Sequence, residues 1–427
     1  MSGARRLRIA YVVPGHNLLP SAGPTRNVLN LAGALGEHAD VTVVFRSMLE
    51  PLAPQAFRVL EIEPSGRPGG IPLDDAAARG VGLFAFFSYL RSVDRWVRKE
   101  TASFDVVLEK SWLLSGYVAQ KTVRAGVPGV LVENIPPMLE EPIRGLSGLL
   151  RLARHRTARA WAGRCARSAS RVIVETEELK VLVARGWRIP EEKIAVVGLG
   201  VDRALFRPRD REEARAKLGV RSDAVVLLYS GVLDRTHTLV PLLTALRHGS
   251  PRGAELHIAG DGSLRETYER IAREVPAPVL FHGRIPHETI PEYIAAADLC
   301  LAPYDASVFL GGEVVYSTLK IPEYLASGRA VASVPSGNIR RLIRSGETGF
   351  LLENTESAWA LFFSDFPPRE QLREMGERAG CSVAVPSWEE TARSYLAICE
   401  EEVRKAAGRS RVAHPRREMC CTEREVE

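Results

Sequence analysis

"AVVLLYSGVLDRTHTLVPLLTALRHGSPRGAELHIAGDG", residues 224–262, begins with an apolar run of strand length and ends on another. The first run stops at Gly231, the second at Gly260-Asp261-Gly262. Between them, "VPLLTALRH" carries apolar residues at helical spacing. A short, wholly apolar run suits a strand buried on both faces, and a helix between two such runs predicts parallel pairing. The stretch reads as a βαβ unit with glycine loops at one edge.

The pattern continues downstream. "SLRETYERIAREV" reads as a helix, and "PVLFHGRI" (278–285), "DLCLAPY" (298–304), "AVASV" (330–334) and "GFLLE" (349–353) read as strands. Upstream lies a second, earlier series. "LRIAYVV" (7–13) is a strand, "VLNLAGALGEHA" a helix and "DVTVVF" (40–45) a strand. "FDVVLEK" (104–110), "GVLVEN" (129–134), "RVIVETEE" (171–178) and "KIAVVGLGVD" (193–202) follow. The charged, proline-broken segment "FRPRDREEARAKLGVRSD" (206–223) separates the two series as a linker leading into a helix.

Two successive strand–helix alternations predict an α/β protein of two doubly wound domains, residues 1–205 and 206–386. "SWEETARSYLAICEEEVRKA" reads as a terminal amphipathic helix, residues 387–406, packing back on the first domain. The polar, patternless residues 407–427 read as a disordered tail.

Composition agrees with two globular domains. A chain of 427 residues is too long for a single core, and 45% hydrophobic with 26% charged residues is globular. The formal net charge of +5 is too mild to imply nucleic acid, and no nucleic-acid module is present. The six cysteines, at 165, 300, 381, 399, 420 and 421, show no metal-ligand spacing and fit a reduced, cytoplasmic chain. Arg5, Arg6 and Arg8 precede an apolar run that soon meets Pro14, which reads as a first strand rather than a signal peptide. No stretch approaches the roughly 20 apolar residues that span a bilayer.

"YSTLKIPEYLASGRAVASVPSG" (316–337) poses the functional question. Ser317 and Thr318 suit a helix start, Pro322 its first turn and Gly328 its end, so a short helix is expected over about 319–327. Its free N–H groups and Lys320 can hold an anion such as a diphosphate. Glu323, one turn in, can accept hydrogen bonds from a vicinal diol such as a ribose. Equally, it can simply complement the helix dipole, at about 0.3–1 kcal/mol.

At this point the chain resembles a family. "LKIPEYLASGRAVASVPSGNIRRLIRSGETGFLLE" is similar to the nucleotide-sugar segment of family-4 glycosyltransferases, whose type-B fold sets two Rossmann-like domains face to face. "RIAYVVPG…SAGPTRNVLNLAGAL" resembles their first strand, glycine loop and first helix. "RVIVETEELKVLVARGWRIPEEKIAVVGLGVDRALFRP" resembles the end of their acceptor domain. "LHIAGDGSLRETYERI" and "FHGRIPHETIPEYIAAADLCLAPY" resemble the front of their donor domain. The likeness covers roughly residues 7–400 in the family's order.

The resemblance implies a retaining transferase that moves a sugar from a nucleotide-diphosphate sugar to a saccharide, lipid-linked or small-molecule acceptor. It would serve polysaccharide, glycolipid or secondary-metabolite glycosylation. Glu323 matches the donor-ribose glutamate. Ser317, Thr318, Leu319 and Lys320 lie in the diphosphate loop. Gly283, Arg284 and Ile285, in "HGRIP", match the nucleobase stretch, although Arg284 reads equally as a surface charge. Gly231 and Gly23 match the family's close-approach glycines, with Ala22 replacing the first of a usual pair.

The chain also departs from the family. The glutamate often found eight positions before Glu323 is here Val315, and Glu313 is out of register. The Arg and Lys usual after the "LLYSG" strand are here Val232 and His237. Arg235 lies between them and can bind oxyanions bidentately. A clamp of Arg235, His237 and Lys320 is therefore expected to stabilise the departing diphosphate, with Arg235 and Lys320 in the catalytic role. No Asp-x-Asp pair stands in a donor position, which predicts a reaction without metal or resident cofactor.

Acceptor chemistry is expected in residues 1–200. His16, Arg26, Glu109 and Glu133 sit at or near predicted strand ends, where α/β sites form, and each reads otherwise as an ordinary loop residue. Residues 144–171 contain eight arginines and no acid, with Leu146, Leu150, Ala153, Thr157 and Trp161 at helical spacing. That is either a basic helix for the inner face of an anionic membrane or a solvated arginine face. Two further readings stand beside the transferase: a catalytically weakened binding subunit, motivated by Val232, Val315 and His237, and a nucleotide-sugar epimerase on the same fold.

Overall fold

The computed structural model describes residues 5–18, 23–50, 52, 55–62, 83–134, 145–309, 311–381 and 385–413. The first sheet contains β1 (Arg8–Val13), β2 (Asp40–Phe45), β3 (Arg58–Glu61), β4 (Val106–Lys110), β5 (Gly129–Glu133), β6 (Arg171–Val174) and β7 (Ile194–Val196). Its order is β3-β2-β1-β4-β5-β6-β7, with every pair parallel. The second sheet contains β8 (Val225–Ser230), β9 (Ala254–Ala259), β10 (Val279–Gly283), β11 (Leu299–Ala302), β12 (Ala330–Ser333) and β13 (Gly349–Leu351). Its order is β10-β9-β8-β11-β12-β13, again all parallel.

Both sheets reverse their winding once, between β1 and β4 and between β8 and β11. Such a reversal leaves a crevice at the carboxyl ends of the two strands, where doubly wound proteins bind ligands. The apolar runs form strands because both faces are covered. On β1, Ile9, Tyr11 and Val13 enter one cluster while Ala10 and Val12 enter another. On β8, Val226 and Leu228 face one way and Leu227 and Tyr229 the other. This is the two-residue alternation of a strand, with apolar residues on each side.

β3 was not anticipated. Its sequence RVLE is half charged and alternates between exposed and half-buried, as befits a sheet edge. The terminal helix spans Trp388–Ala413 and lies on the first domain, with Trp388, Ala392, Tyr395 and Cys399 in the cluster around Ile9 and Val41. Gly200 makes that return close: a Cβ there would lie 2.6 Å from the Trp388 backbone nitrogen. The expected end of the helix needs correction, because residues 407–413 continue it. The alanines at 406, 407 and 413 favour helix, and Lys405 pairs with Glu401 and Glu402. The remainder of the expected tail, 414–427, lies outside the described residues.

The basic segment forms the helix Gly145–Ser168. Ala153 and Thr157, expected on an apolar stripe, are exposed. The buried side is carried instead by Ala162, Cys165 and Ala166, while Trp161 stands edge-on to Tyr117. Small residues on that side fit the close neighbouring helix Tyr117–Arg124, and spacing alone did not distinguish the two faces. The side chains of Leu146 and Leu150 lie outside the described residues. Among the described residues, no helix is long and apolar enough to cross a membrane.

Candidate functional site

Where β8 ends, the chain must turn tightly beneath its neighbours. Gly231 has φ +145°, and a Cβ there would lie 2.7 Å from Lys320 Nζ. The "GDG" loop after β9 presses on the same turn: a Cβ on Gly260 would lie 1.8 Å from the Gly231 carbonyl oxygen. Only glycine permits this conformation and this approach.

Lys320 opens the helix Lys320–Ala326 and is 9% exposed. Its Nζ donates to Tyr229 Oη at 3.2 Å and stands 4.3 Å from the Tyr229 ring centroid and 5.5 Å from that of Tyr304. Among the described residues, no carboxylate reaches it as an ion pair. Burial pushes its pKa down to about 7, against the opposing pull of Asp234 and Glu323.

His237 is tied on both sides. Nδ1 lies 2.9 Å from Asp234 Oδ1 and Nε2 lies 3.1 Å from Tyr316 Oη. Burial, then the nearby Lys320 charge, lowers its pKa to about 4, so the ring is neutral at pH 7. A carboxylate only accepts, so the proton sits on Nδ1 and Tyr316 donates to Nε2. His237 therefore orients Asp234 and Tyr316 and offers no free donor. The helix start also differs from expectation. Leu319 is its N-cap, without a side-chain bond, while Thr318 Oγ1 accepts from Tyr304 Oη. Arg235 is exposed and, among the described residues, makes no hydrogen bond or ion pair, and Val232 is also exposed.

Glu323 lies one turn further on. Its Oε1 accepts from His287 Nε2 at 3.1 Å. His287 rests edge-on against Phe206, and its Nδ1 is buried without a hydrogen-bond partner among the described residues. His287, Glu288, Leu205, Asp202, Arg26 and Asn30 line a cavity of about 420 Å³. Arg26 Nη1 lies 3.4 Å from Glu288 Oε1, so this first-domain residue meets the second domain directly. Gly283 has φ +69° at a bulge ending β10, Arg284 is exposed without a partner among the described residues, and Ile285 packs against the second domain's core. Gly23 begins the helix Gly23–Gly36, and the loop residues 19–22 before it lie outside the described residues.

The first domain contributes a buried ionisable group. Lys110, Glu133 and Glu175 end or follow β4, β5 and β6 and are 3%, 2% and 7% exposed. Glu175 Oε2 accepts from the Ser317 amide at 3.2 Å, and Asn134 also donates to this carboxylate. Burial raises the Glu175 pKa to about 7, with Lys110 pulling it back. The next residue, Thr176, caps its own helix through Leu179 N and donates to the Val315 carbonyl. Val315 packs among Leu131, Val174 and Leu179 of the first domain, and Leu319 packs on the cluster around Val13.

Of the acceptor-side candidates, His16 is half-buried beyond β1, where its carbonyl accepts from Arg46 N. Glu109 turns inward: it accepts from Trp112 Nε1 at 2.7 Å and Ala119 N at 2.8 Å, which ties the turn after β4 to the first turn of the helix Tyr117–Arg124. The sequence reading missed Glu175, His287 and Tyr316. Glu175 could have been noticed as the first polar residue after the apolar run "VIV", and His287 as the first side chain after "GRIP". Among the described residues, no group of three or more His, Cys, Asp or Glu could hold a metal ion.

Residues 22–200 match the family model described as "Glycosyl transferase 4-like domain", and residues 224–362 match "Glycosyl transferases group 1". The chain is 27% identical over 251 residues to D-inositol 3-phosphate glycosyltransferase of Streptomyces scabiei, covering 53% of this chain and 52% of that one. It is 29% identical over 241 residues to the Nocardia farcinica protein of that name, with coverage of 53% and 52%. The chain thus spans about half the length of the curated relatives it matches. Among solved structures, sucrose-phosphate synthase of Thermosynechococcus elongatus superposes with a TM-score of 0.70 at 20% identity, covering 94% of this chain and 100% of that one. Anabaena HepE in complex with UDP and glucose gives 0.66 at 16% identity, covering 92% and 100%. At such identities these likenesses concern the fold.

Proposed function

This chain belongs to the group 1 and 4-like glycosyl transferases of type-B fold, and on that premise we propose that it transfers a sugar from a nucleoside-diphosphate sugar to a hydroxyl of an acceptor held by its first domain. The observation that carries the proposal is the Lys320 ammonium, buried under the Gly231 turn without an ion-pair partner among the described residues. A buried, unpaired cation costs several kcal/mol, and an incoming diphosphate would offset much of that. Ser317 and its neighbours supply amides to the same anion, and Glu323 takes the ribose diol. Gly283, Arg284 and Ile285 bound the base.

Arg235, exposed and unpaired, swings onto the departing diphosphate, where Lys320 already stands. Both act on charge that develops as the bond to the sugar breaks. These side-chain cations serve in place of a metal. The proposed transfer retains anomeric configuration, and no enzymic nucleophile is assigned. The complex of a solved relative with UDP and glucose makes UDP-glucose the first donor to try, and the curated relatives make inositol 3-phosphate the first acceptor. The exposed arginines of the helix Gly145–Ser168 favour an acceptor on the inner face of an anionic membrane.

The test is nucleotide release from a panel of UDP-, GDP- and TDP-sugars, with and without acceptor and with EDTA. Release that survives EDTA supports the reading. A binding subunit would release no nucleotide. Arg235→Ala should lower turnover by about 10²–10³ with little change in KM, the scale for one transition-state donor. If Arg235→Ala keeps wild-type turnover, its catalytic role is withdrawn.

A further inference from the structure

One contact in the cleft conflicts with the donor site. Glu175, following β6 in the first domain, accepts from the amide of Ser317, in the loop of the second. Thr176 holds the Val315 carbonyl of that loop, and the Val315 side chain is buried among first-domain residues. The first domain therefore grips the loop through backbone and side chain together. On the transferase reading, the Ser317 amide is one of the groups that bind the donor's diphosphate. One N–H cannot serve a carboxylate and a phosphate oxygen equally, and two anions brought to the same N–H, one of them the buried Glu175, repel strongly.

We propose that Glu175 is a positioning residue of the donor loop: its carboxylate occupies the Ser317 amide in place of a diphosphate, and donor binding displaces it. The identity of the displacing anion rests on the transferase reading, whereas the grip on the loop does not. The surroundings give the released carboxylate somewhere to go. Lys110 from β4 is buried and feels both Glu175 and Glu133 from β5. Among the described residues, the other titratable groups that feel Glu175 are the phenols of Tyr11, Tyr316 and Tyr395, all held neutral by burial. Lys110 is thus the cation toward which a displaced Glu175 turns. Loop release would then accompany donor entry, so that an empty donor site keeps the loop docked on the first domain.

The experiment uses the full chain at pH 8, as wild type, Glu175→Gln and Glu175→Ala. Hydrogen exchange of the loop 311–323 is followed without ligand, and UDP, GDP and TDP are then titrated calorimetrically. Glu175→Ala should speed exchange at Ser317 by about tenfold or more, because the amide loses a charged acceptor. Glu175→Gln keeps an acceptor oxygen and slow exchange but no charge. Both variants should bind the nucleoside diphosphate about tenfold more tightly, because the repelling anion is gone. Unchanged exchange in Glu175→Ala overturns the grip. Affinity equal to or below wild type in Glu175→Gln overturns the displacement, including where Glu175→Ala fails to fold. If none of the three nucleotides binds wild type, the transferase reading fails, and exchange alone decides whether Glu175 positions the loop.

Discussion

At the scale of the residue, Lys320 shows how a site leaves its mark on stability. Its folded-state pKa is depressed from 10.5 to about 7 by burial, so the folded protein holds the proton less readily than the unfolded chain. The resulting cost is greatest below pH 7, where both states are protonated, and fades as pH rises toward 10.5. Lys320→Met, which keeps the volume and discards the charge, should therefore stabilise the fold by roughly 2–5 kcal/mol at pH 6 and by less at pH 9. Donor turnover should collapse in the same variant. Thermal unfolding at the two pH values checks the first statement, and a lower melting temperature at pH 6 would count against it. Glu323 is of a different kind, since His287 already donates to it and fixes its orientation. Glu323→Ala should weaken donor binding by about 1–3 kcal/mol, the scale for losing a charged hydrogen-bond partner. Calorimetry on the folded variant decides, and equal affinities would remove the ribose assignment.

At the scale of the element, the helix Gly145–Ser168 shows what the sequence made legible and what it did not. Over its described side chains the buried face is spent on the protein, through Ala162, Cys165 and Ala166, and the exposed face carries Arg156, Arg164 and Arg167, so the membrane contact tested is electrostatic. Flotation with vesicles containing anionic lipid should then succeed at low salt and fail above about 0.5 M, where the Debye length falls to a few ångströms. Replacing the exposed Arg156 and Arg164 with Glu should abolish it. Wild type that never floats at low salt would exclude the contact. The same limit governed the rest of the sequence reading. Strands buried on both faces announce themselves as apolar runs, so β1, β2, β8 and β12 could be read nearly to the residue. β3 could not, because an edge strand with Arg58 and Glu61 lacks that run. Residues 407–413 read as tail because "AGRSRVA" shows no apolar periodicity, although its alanines favour helix. The donor loop was recognisable from Ser317 to Glu323, but its partners were not. Glu175 and His287 reach it only through tertiary contacts, and local sequence does not say which distant strand end will face a loop; Tyr316 lies beside the loop in sequence, but its bond to His237 is likewise tertiary.

At the scale of the whole molecule, the question is what joins the two domains across the cleft. Among the described residues two ion pairs span it, Arg26–Glu288 and Arg341–Glu178, and each has one partner more than half exposed. Exposed pairs of this kind contribute about 0–1 kcal/mol and weaken in salt. The apolar contact is stronger: Val315 is 2% exposed and lies among Leu131, Val174 and Leu179, while Leu319 packs near Val13. Many relatives in the resemblance carry a glutamate where this chain has Val315, and restoring it makes a sharp test. In this chain Val315→Glu would place a carboxylate in an apolar cluster beside Glu175. It would lose about 1.5–3 kcal/mol of side-chain burial, and either the new charge or the old one would have to move into water. The expected result is separation of the loop from the first domain rather than a gain in sugar recognition. Small-angle scattering without donor should show a larger radius of gyration, and the melting transition should broaden or split as the domains uncouple. Val315→Ala should do the same more weakly, since it removes burial without adding charge. Removing the ion pairs by Arg26→Ala and Arg341→Ala should leave the radius nearly unchanged. If Val315→Glu instead keeps the wild-type radius, stability and turnover, the apolar grip on the donor loop is not what holds the two domains together.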